Sequence, residues 1–571
     1  MFGKKRRKDH EIAPEDIFLD SSNLPAHNSS QFEGRVERPM SRRAIFGVGV
    51  TFVAIAIVFS ARAFDLEVAQ GATFAQISLQ NTLSSNIIFA QRGIIYDRNG
   101  TELAWNTPAV QSGTSTKPYA LRQYITQPGF SLLLGFLTYP QSDKQGNWWK
   151  TDYTGVSGLE LQYNSLLEGE NGASMTETDA HGNPVRSDIE TPPVNGQNLY
   201  LSIDANLQAE LYKDIVQGAA VDGFVGGAGI IMNVQTGQVL AITSFPQYDD
   251  NEFVQGDNAA IVAADQDPNS PLLDRAIGGL YAPGSIIKTI FAAGALDSGL
   301  FTPETTVDST GKFVIPNPYN PSQPSVFNDW TAHGVIDMET ALAVSSDQYF
   351  YVVGGGYGGQ QGIGISGLDK YAKEFGLGTT TGIALPGEQP GVIPSPAWKA
   401  VNFPSDPTWL LGDTYHTAIG QYGFQITPIQ AVRYIAAIAN GGKLLTPQLL
   451  ASSTPEYTQV PISDADLAVV RAGMRLAITS NRTDAIDNVL NIPGIELAVK
   501  TGTAQIGVHN QWVNSWIVGY WPADDPKYAF AVVLEKGPST EEHNAEASMI
   551  PFFQWLVANQ SQYINGQSKE S

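Results

Sequence analysis

Residues 44–61, AIFGVGVTFVAIAIVFSA, form the longest uninterrupted apolar run and carry no charge. A helix needs about 20 apolar residues to cross the hydrocarbon core of a membrane. The run therefore predicts one membrane-spanning helix, an anchor over residues 44–64. It is longer than the roughly 7–15 apolar residues of a signal peptide and starts well inside the chain, so it reads as uncleaved. Residues 9–41 before it are polar and aperiodic, the pattern of a flexible tail. Residues 65–195 alternate short apolar runs with Gly and Asn breaks. Within them RGIIYDRNG predicts a strand at Ile94, Ile95 and Tyr96 closed by an Asn-Gly turn. GLELQYNSLLEG predicts a helix from Leu159 to Leu167 that stops near Gly169.

The texture changes near residue 196. NLYLSIDANLQAEL reads as a strand followed by a helix, with Asp204 placed to cap it. Residues 227–245 read as two strands around a Gln-Thr-Gly turn. Residues 284–298 and 427–440 read as helices opened by Pro or Gly. SWIVGYW (515–521) and YAFAVVLE (528–535) read as a hairpin around the polar PADDPK loop. The order strand, helices, strands predicts an α+β domain, an antiparallel sheet with surrounding helices.

Composition narrows the chemistry. The chain's 571 residues exceed one ordinary domain, and 42% hydrophobic residues are enough for sizeable cores. A net charge of −23 argues against a nucleic-acid surface, which needs a basic face. That average hides a division. Residues 1–43 hold nine Lys/Arg against seven Asp/Glu, a net +2, which leaves −25 for the remainder. Basic residues before the apolar run place that end in the cytoplasm and the rest of the chain outside it. Cysteine is absent, so disulfides, thiolate metal sites and cysteine nucleophiles are excluded. No two of the seven histidines share the i, i+4 spacing of a helical zinc site. Catalysis then falls to Ser, Thr, Lys, Asp or Glu, with no metal or cofactor expected.

Three short strings carry such chemistry. YAPGSIIK places Ser285 and Lys288 three apart, on one face of a helix start. A serine hydroxyl is a weak nucleophile until a neighbouring base takes its proton. The helix N-terminus also offers backbone N–H groups to an oxyanion. The pattern occurs again at Ser309 and Lys312, but there Gly311 marks a loop with no shared helical face. AVSSDQYF contains Ser345 and Asp347. VKTGTAQ contains Lys500, Thr501, Gly502 and Thr503 on a predicted strand. Its lysine and threonines suit a carboxylate, and Gly502 would let a substrate backbone approach closely. The three strings in this order are far more specific than any one of them.

With these motifs the chain resembles a class B penicillin-binding protein, a peptidoglycan D,D-transpeptidase. RGIIYDRNGTELA resembles the signature of that family's mostly β, non-catalytic pedestal. DRAIGGLYAPGSIIK, HGVIDMETALAVSSDQYFY, FGLGTTTGIALPGE, GDTYHTAIGQYGFQITPIQ and VKTGTAQ follow in family order. The resemblance implies a tail over 1–43, an anchor over 44–64, a pedestal over 65–195 and a transpeptidase domain over 196–565. The last would have the fold shared with serine β-lactamases. It also implies Ser285 as acylated nucleophile, Lys288 as its base and Ser345 as proton shuttle. Lys500, Thr501 and Thr503 would grip the substrate carboxylate, and the backbone N–H groups of Ser285 and Thr503 would form the oxyanion hole. Implied partners are stem peptides, β-lactams, the membrane and a SEDS-type membrane glycosyltransferase.

Three departures stand out. Asp347 replaces the commoner Asn and resembles elongation-type members. The short stretch between Asn106 and Gly158 implies a shortened distal pedestal. Tyr422 interrupts the family's Gly-Gln-Gly run at 420–423. His333 and His416 fall near the motifs and read as structural hydrogen-bonders. The alternatives are a β-lactamase or D,D-carboxypeptidase, which use water as acceptor, and a non-catalytic membrane-bound β-lactam sensor or scaffold.

Overall fold

The computed structural model describes residues 41–108, 117–179, 184–316, 320, 322–485, 488–539 and 544–564. The tail expected over 1–43 lies outside these, apart from its last three residues. The chain divides into two compact units. One holds residues 1–84 and 176–186, and the other holds 85–175 and 187–571.

In the first unit, Ser41 caps a helix over Arg42–Phe64, its side chain accepting from the Ala44 N–H. One π-helical turn, Asp65–Ala69, leads into a second helix, Gly71–Thr82. Arg42–Ala69 is the one helix among the described residues long and apolar enough to cross a membrane. Its side chains Phe46, Phe52, Val58 and Phe59 are all exposed. Water does not favour such a surface, and a bilayer does.

The second unit begins with a four-stranded sheet in the order Leu199–Tyr200, Ile95–Tyr96, Glu102–Thr107, Leu121–Tyr124. The expected Asn-Gly turn is present. Asp97 holds it, its Oδ1 accepting from the N–H groups of Asn99 and Thr101 at 2.8 and 2.7 Å. The expected helix over 159–167 forms as two short pieces, Gly158–Gln162 and Asn164–Leu167, broken at Tyr163. The break accompanies tertiary demands on Glu160. Arg92 and Arg122 donate to its two carboxylate oxygens at 2.5 and 2.7 Å, with all three side chains buried. Burial pushes the Glu160 carboxyl up, but the two guanidiniums outweigh it and hold it below its ordinary range.

The larger sheet comprises β1 (Gly226–Asn233), β2 (Val239–Phe245), β3 (Ala498–Ile506), β4 (Trp512–Trp521) and β5 (Tyr528–Pro538). Their order is β2-β1-β5-β4-β3, antiparallel throughout. Around it lie α1 (Ala205–Asp222), α2 (Lys288–Asp297), α3 (Met338–Ala343), α4 (Asp347–Gly355), α5 (Pro428–Ala439), α6 (Asp464–Thr479) and α7 (Ala545–Asn559). Asp204 caps α1 as expected, accepting from the N–H groups of Asn206 and Leu207. Along β5, Phe530, Val532 and Leu534 join a core with Leu211 of α1 and Phe552 of α7. The intervening Ala529, Ala531 and Val533 join the opposite core, with Ile290 of α2 and Ile435 of α5. Covering on both faces explains why these strands read as continuous apolar runs rather than alternating ones. Each fully buried Val, Leu, Ile or Phe side chain contributes about 1.5–3 kcal/mol. The expected hairpin over 515–535 is therefore longer in the structure, because the sheet pairs it from Trp512 to Pro538.

Candidate active site

The helix expected over 284–298 starts as a 3₁₀ turn, Gly284–Ile287, and becomes α2 at Lys288. Gly284 has φ +55°, and a Cβ there would lie 2.9 Å from the Thr503 carbonyl oxygen. Gly502 answers it from β3, where a Cβ would lie 2.9 Å from the Pro283 oxygen and 3.1 Å from the Ile286 nitrogen. The space at the Gly502 Cβ position is thus taken by the Ser285 turn itself. These two glycines let the turn press against an edge strand of the sheet. Ser285 ends half-buried, and its Oγ has no hydrogen-bond partner among the described residues.

Lys288 lies one turn deeper and is fully buried. Its Nζ donates to the Ser345 carbonyl at 2.7 Å and to Asp347 Oδ1 at 2.6 Å, and Ser345 Oγ is 3.4 Å away. Lys500, also fully buried, donates to the same Ser345 Oγ at 2.7 Å and to the Thr501 carbonyl at 2.8 Å. The two lysines thus share one hydroxyl, and Asp347 pairs with Lys288. Ser345 sits in the sharp link between α3 and α4 with φ +54°. Such backbone strain in a non-glycine residue costs on the order of 1–3 kcal/mol and persists only where surroundings over-determine it. Here the N–H groups of Ser345 and Ser346 donate to Leu342 and Ala341, and Ser346 Oγ caps α4 by accepting from the Tyr349 N–H.

These groups line an open cleft of about 900 Å³. Ser285, Ser345 and Asp347 form its floor, and Thr501 and Thr503 of β3 reach it from the side. Alternation along β3 turns Thr501, Thr503 and Gln505 outward while Lys500 and Gly502 are buried. β3 is an edge strand, so the cleft runs beside backbone groups free to pair with an extended ligand. All eight residues singled out in the three motifs are therefore brought together. Ser309 and Lys312 take no place on the cleft wall.

The cleft is also walled by residues that the motifs did not indicate: Asn328, Trp330, Tyr351 and Tyr422. Tyr422, at φ +63°, packs its ring among Trp398, Phe403 and Trp409. The interruption of a Gly-Gln-Gly run was the only sequence signal for it. His416 also lines the cleft, and burial lowers its pKa below the ordinary imidazole value. Among the described residues no cluster of His, Asp and Glu is placed to hold a metal ion.

Residues 227–554, more than half of the chain, match the model of the penicillin-binding protein transpeptidase domain. The chain belongs to this family. Residues 111–201 match the penicillin-binding protein dimerisation domain. The chain is 27% identical to the peptidoglycan D,D-transpeptidase MrdA of Acinetobacter baumannii, over 91% of this chain and 88% of that protein. Among solved structures it is similar to Pseudomonas aeruginosa PBP2, with a TM-score of 0.67 and 27% identity. That match covers 85% of this chain and all of the other. Helicobacter pylori PBP2, solved in complex with MreC, gives a TM-score of 0.65 at 26% identity, covering 79% and 95%. As a penicillin-binding protein, the chain departs from the usual middle motif at Asp347, whose carboxylate is directly engaged with Lys288.

Proposed function

We propose that this protein is a serine-type peptidoglycan D,D-transpeptidase of side-wall elongation, anchored by one helix and acylated by penicillin at Ser285. The single observation that carries the reading is the convergence of the three motifs. Lys288 and Lys500 both reach Ser345 at the floor of a cleft that also exposes Ser285. The relatives named MrdA and PBP2 support the elongation role.

In this reading Ser285 Oγ attacks the penultimate D-Ala carbonyl carbon of a stem peptide, and its proton passes to the Lys288 amine. The resulting oxyanion takes hydrogen bonds from the backbone N–H groups of Ser285 and Thr503. Ser345 relays the proton to the departing D-Ala amine as the C–N bond breaks, which leaves an ester on Ser285. Lys500, Thr501 and Thr503 hold the terminal carboxylate. An amine of a second stem peptide then attacks the ester. Its proton returns through Ser345 and Lys288 to Ser285, and a new amide remains. Asp347 keeps the Lys288 amine in place beside Ser345.

Residues 1–43 then form the cytoplasmic tail, 44–64 the anchor, 65–195 the pedestal and 196–565 the catalytic domain outside the membrane. A SEDS-type glycosyltransferase partner follows from family resemblance, and an MreC-type partner from the Helicobacter pylori complex. Labelling with a fluorescent penicillin tests the reading. A stable acyl-enzyme is expected that disappears in Ser285→Ala. Rapid release of hydrolysed drug would instead favour the β-lactamase, and no labelling of folded protein would overturn the enzyme reading.

A further inference from the structure

Behind the middle motif a line of charged and polar groups runs from the cleft wall, where Asp329 stands between Asn328 and Trp330. It begins at Asp329, whose side chain is wholly buried. Its Oδ2 accepts from Ser346 Oγ at 2.6 Å, Ser309 Oγ at 3.2 Å and the Gln348 N–H at 2.9 Å. Its Oδ1 accepts from the backbone N–H groups of Asp347 at 3.0 Å and Trp330 at 2.9 Å. One carboxylate thus holds three consecutive residues, 346 to 348, including the backbone of the residue that pairs with Lys288.

The line continues outward. His333 Nε2 lies 3.6 Å from Asp329 Oδ1, and its Nδ1 is 2.8 Å from Asp484 Oδ2. Arg482 donates to both oxygens of Asp484 at 2.8 Å and to the His333 carbonyl at 2.9 Å. The His333 side chain is wholly buried between the two carboxylates. Five donors converge on one carboxylate, and His333 and Arg482 together face the two carboxylates of Asp329 and Asp484.

We propose that Asp329 and His333 are positioning residues for acylation: Asp329 holds the Ser346–Gln348 segment, which in turn sets the Lys288 amine, and the His333 ring backs the Asp329 carboxylate from 3.6 Å away. The proposal rests on the transpeptidase reading of the cleft.

The charges agree with the geometry. Burial would pull His333 down, but the charges of Asp329 and Asp484 and the hydrogen bond to Asp484 outweigh it and set it above its ordinary value. Burial would push Asp329 up, but His333, the Lys288 charge, Ser346 and the Gln348 N–H hold it well below the usual range. Asp484 is lowered to about 2, chiefly by Arg482. The other titratable groups facing this line are Asp347 and the Tyr351 phenol, itself pushed up by burial first and by the charges of Asp347 and Asp329. A raised histidine contributes fully below its ordinary value, and the contribution is lost as pH rises through its folded value. The two depressed carboxylates stay ionised across that range.

The test measures penicillin acylation of the full-length protein from pH 5 to 10, separating the dissociation constant of the initial complex from the acylation rate constant. Melting curves check folding. Wild type and Ser285→Ala are run first. If wild type is not acylated, the transpeptidase reading itself fails. If it is, Asp329→Asn should slow the acylation step by about 10–100-fold, with the initial dissociation constant changed by less than about threefold. His333→Gln should slow it less and remove an alkaline limb from the profile. Asp484→Asn should move that limb to lower pH by about half a unit or more. The proposal is overturned if wild type shows no such limb, or if folded His333→Gln and Asp484→Asn keep the wild-type profile. It is overturned equally if Asp329→Asn loses initial binding and acylation in parallel with its melting temperature, since that is a general structural defect.

Discussion

The pattern Ser-x-x-Lys occurs twice, at 285–288 and 309–312, and the structure treats the two copies in opposite ways. The first opens α2. Its serine faces the cleft, and its lysine is fully buried among Ser345, Asp347 and the Phe350 ring. The second bridges two short strands, Val307–Ser309 and Lys312–Ile315, around Gly311 at φ +87°. There the burial is reversed: Ser309 is fully buried and Lys312 is exposed. Ser309 is not idle, since its Oγ donates to Asp329 and its carbonyl accepts from the His333 N–H at 2.9 Å. Spacing alone therefore does not make a site. A nucleophile needs its hydroxyl in the cleft and a base held close, and only the first copy has a strand and a tight turn packed on it to supply both.

The largest expected contrast is between the two serines and their lysines. Ser285→Ala should abolish labelling by fluorescent penicillin, and Ser309→Ala should retain it. Lys288→Ala should slow acylation by about 10²–10⁴-fold, the usual contribution of a general base. Lys312→Ala should leave stability within about 0.5 kcal/mol, as for other surface changes. Equal effects in the two copies, read by stopped-flow acylation and urea melts, would remove the distinction.

The glycines give the next contrast. Gly284→Ala puts a Cβ 2.9 Å from the Thr503 oxygen and should displace the turn from β3. A fall in acylation of at least about tenfold is expected, with a stability loss of about 1–3 kcal/mol from overpacking. Gly311→Ala meets nothing nearer than 3.3 Å and should cost only the left-handed strain, about 1–2 kcal/mol, with acylation retained.

pH separates the copies more gently. The buried line reached by Ser309 is intact between the depressed carboxylates of Asp329 and Asp484 and the raised imidazole of His333. Its contribution to stability should therefore decline as pH rises through the His333 value, and in acid only as those carboxylates protonate. Urea midpoints against pH should show the alkaline decline in wild type and lose it in His333→Gln. Ser309→Ala itself removes one hydrogen bond to an ionised carboxylate. The cost is roughly 1.5–3 kcal/mol at most, less because four other donors remain on Asp329.

Much of the molecule was legible in the chain. The apolar run over 44–61, the Asp204 cap, the strands around Gln-Thr-Gly and the hairpin at PADDPK all follow from local pattern, and local pattern reports local structure. Ser285, Lys288, Ser345, Asp347 and the Lys500–Thr503 run were legible for another reason: short motifs keep their members a few residues apart. The break at Tyr163 was not legible, because it accompanies ion pairs from Arg92 and Arg122, far away in sequence. The packing partner of Gly502 was not legible, because the turn it admits lies more than 200 residues earlier.

Sequence by itself determined the element types, the anchor, the absence of thiolate chemistry and the residue types able to carry out acyl transfer. Tertiary structure alone decided that Lys288 and Lys500 share one serine hydroxyl and that Tyr422 walls the cleft. It also decided that Asp329, His333, Asp484 and Ser309 stand in line behind the middle motif. Hydrophobic period and capping act over one or two turns of chain. A buried charge acts on whatever the fold brings within hydrogen-bonding distance, and several of those partners lie as far as 151 or 155 residues away along the chain.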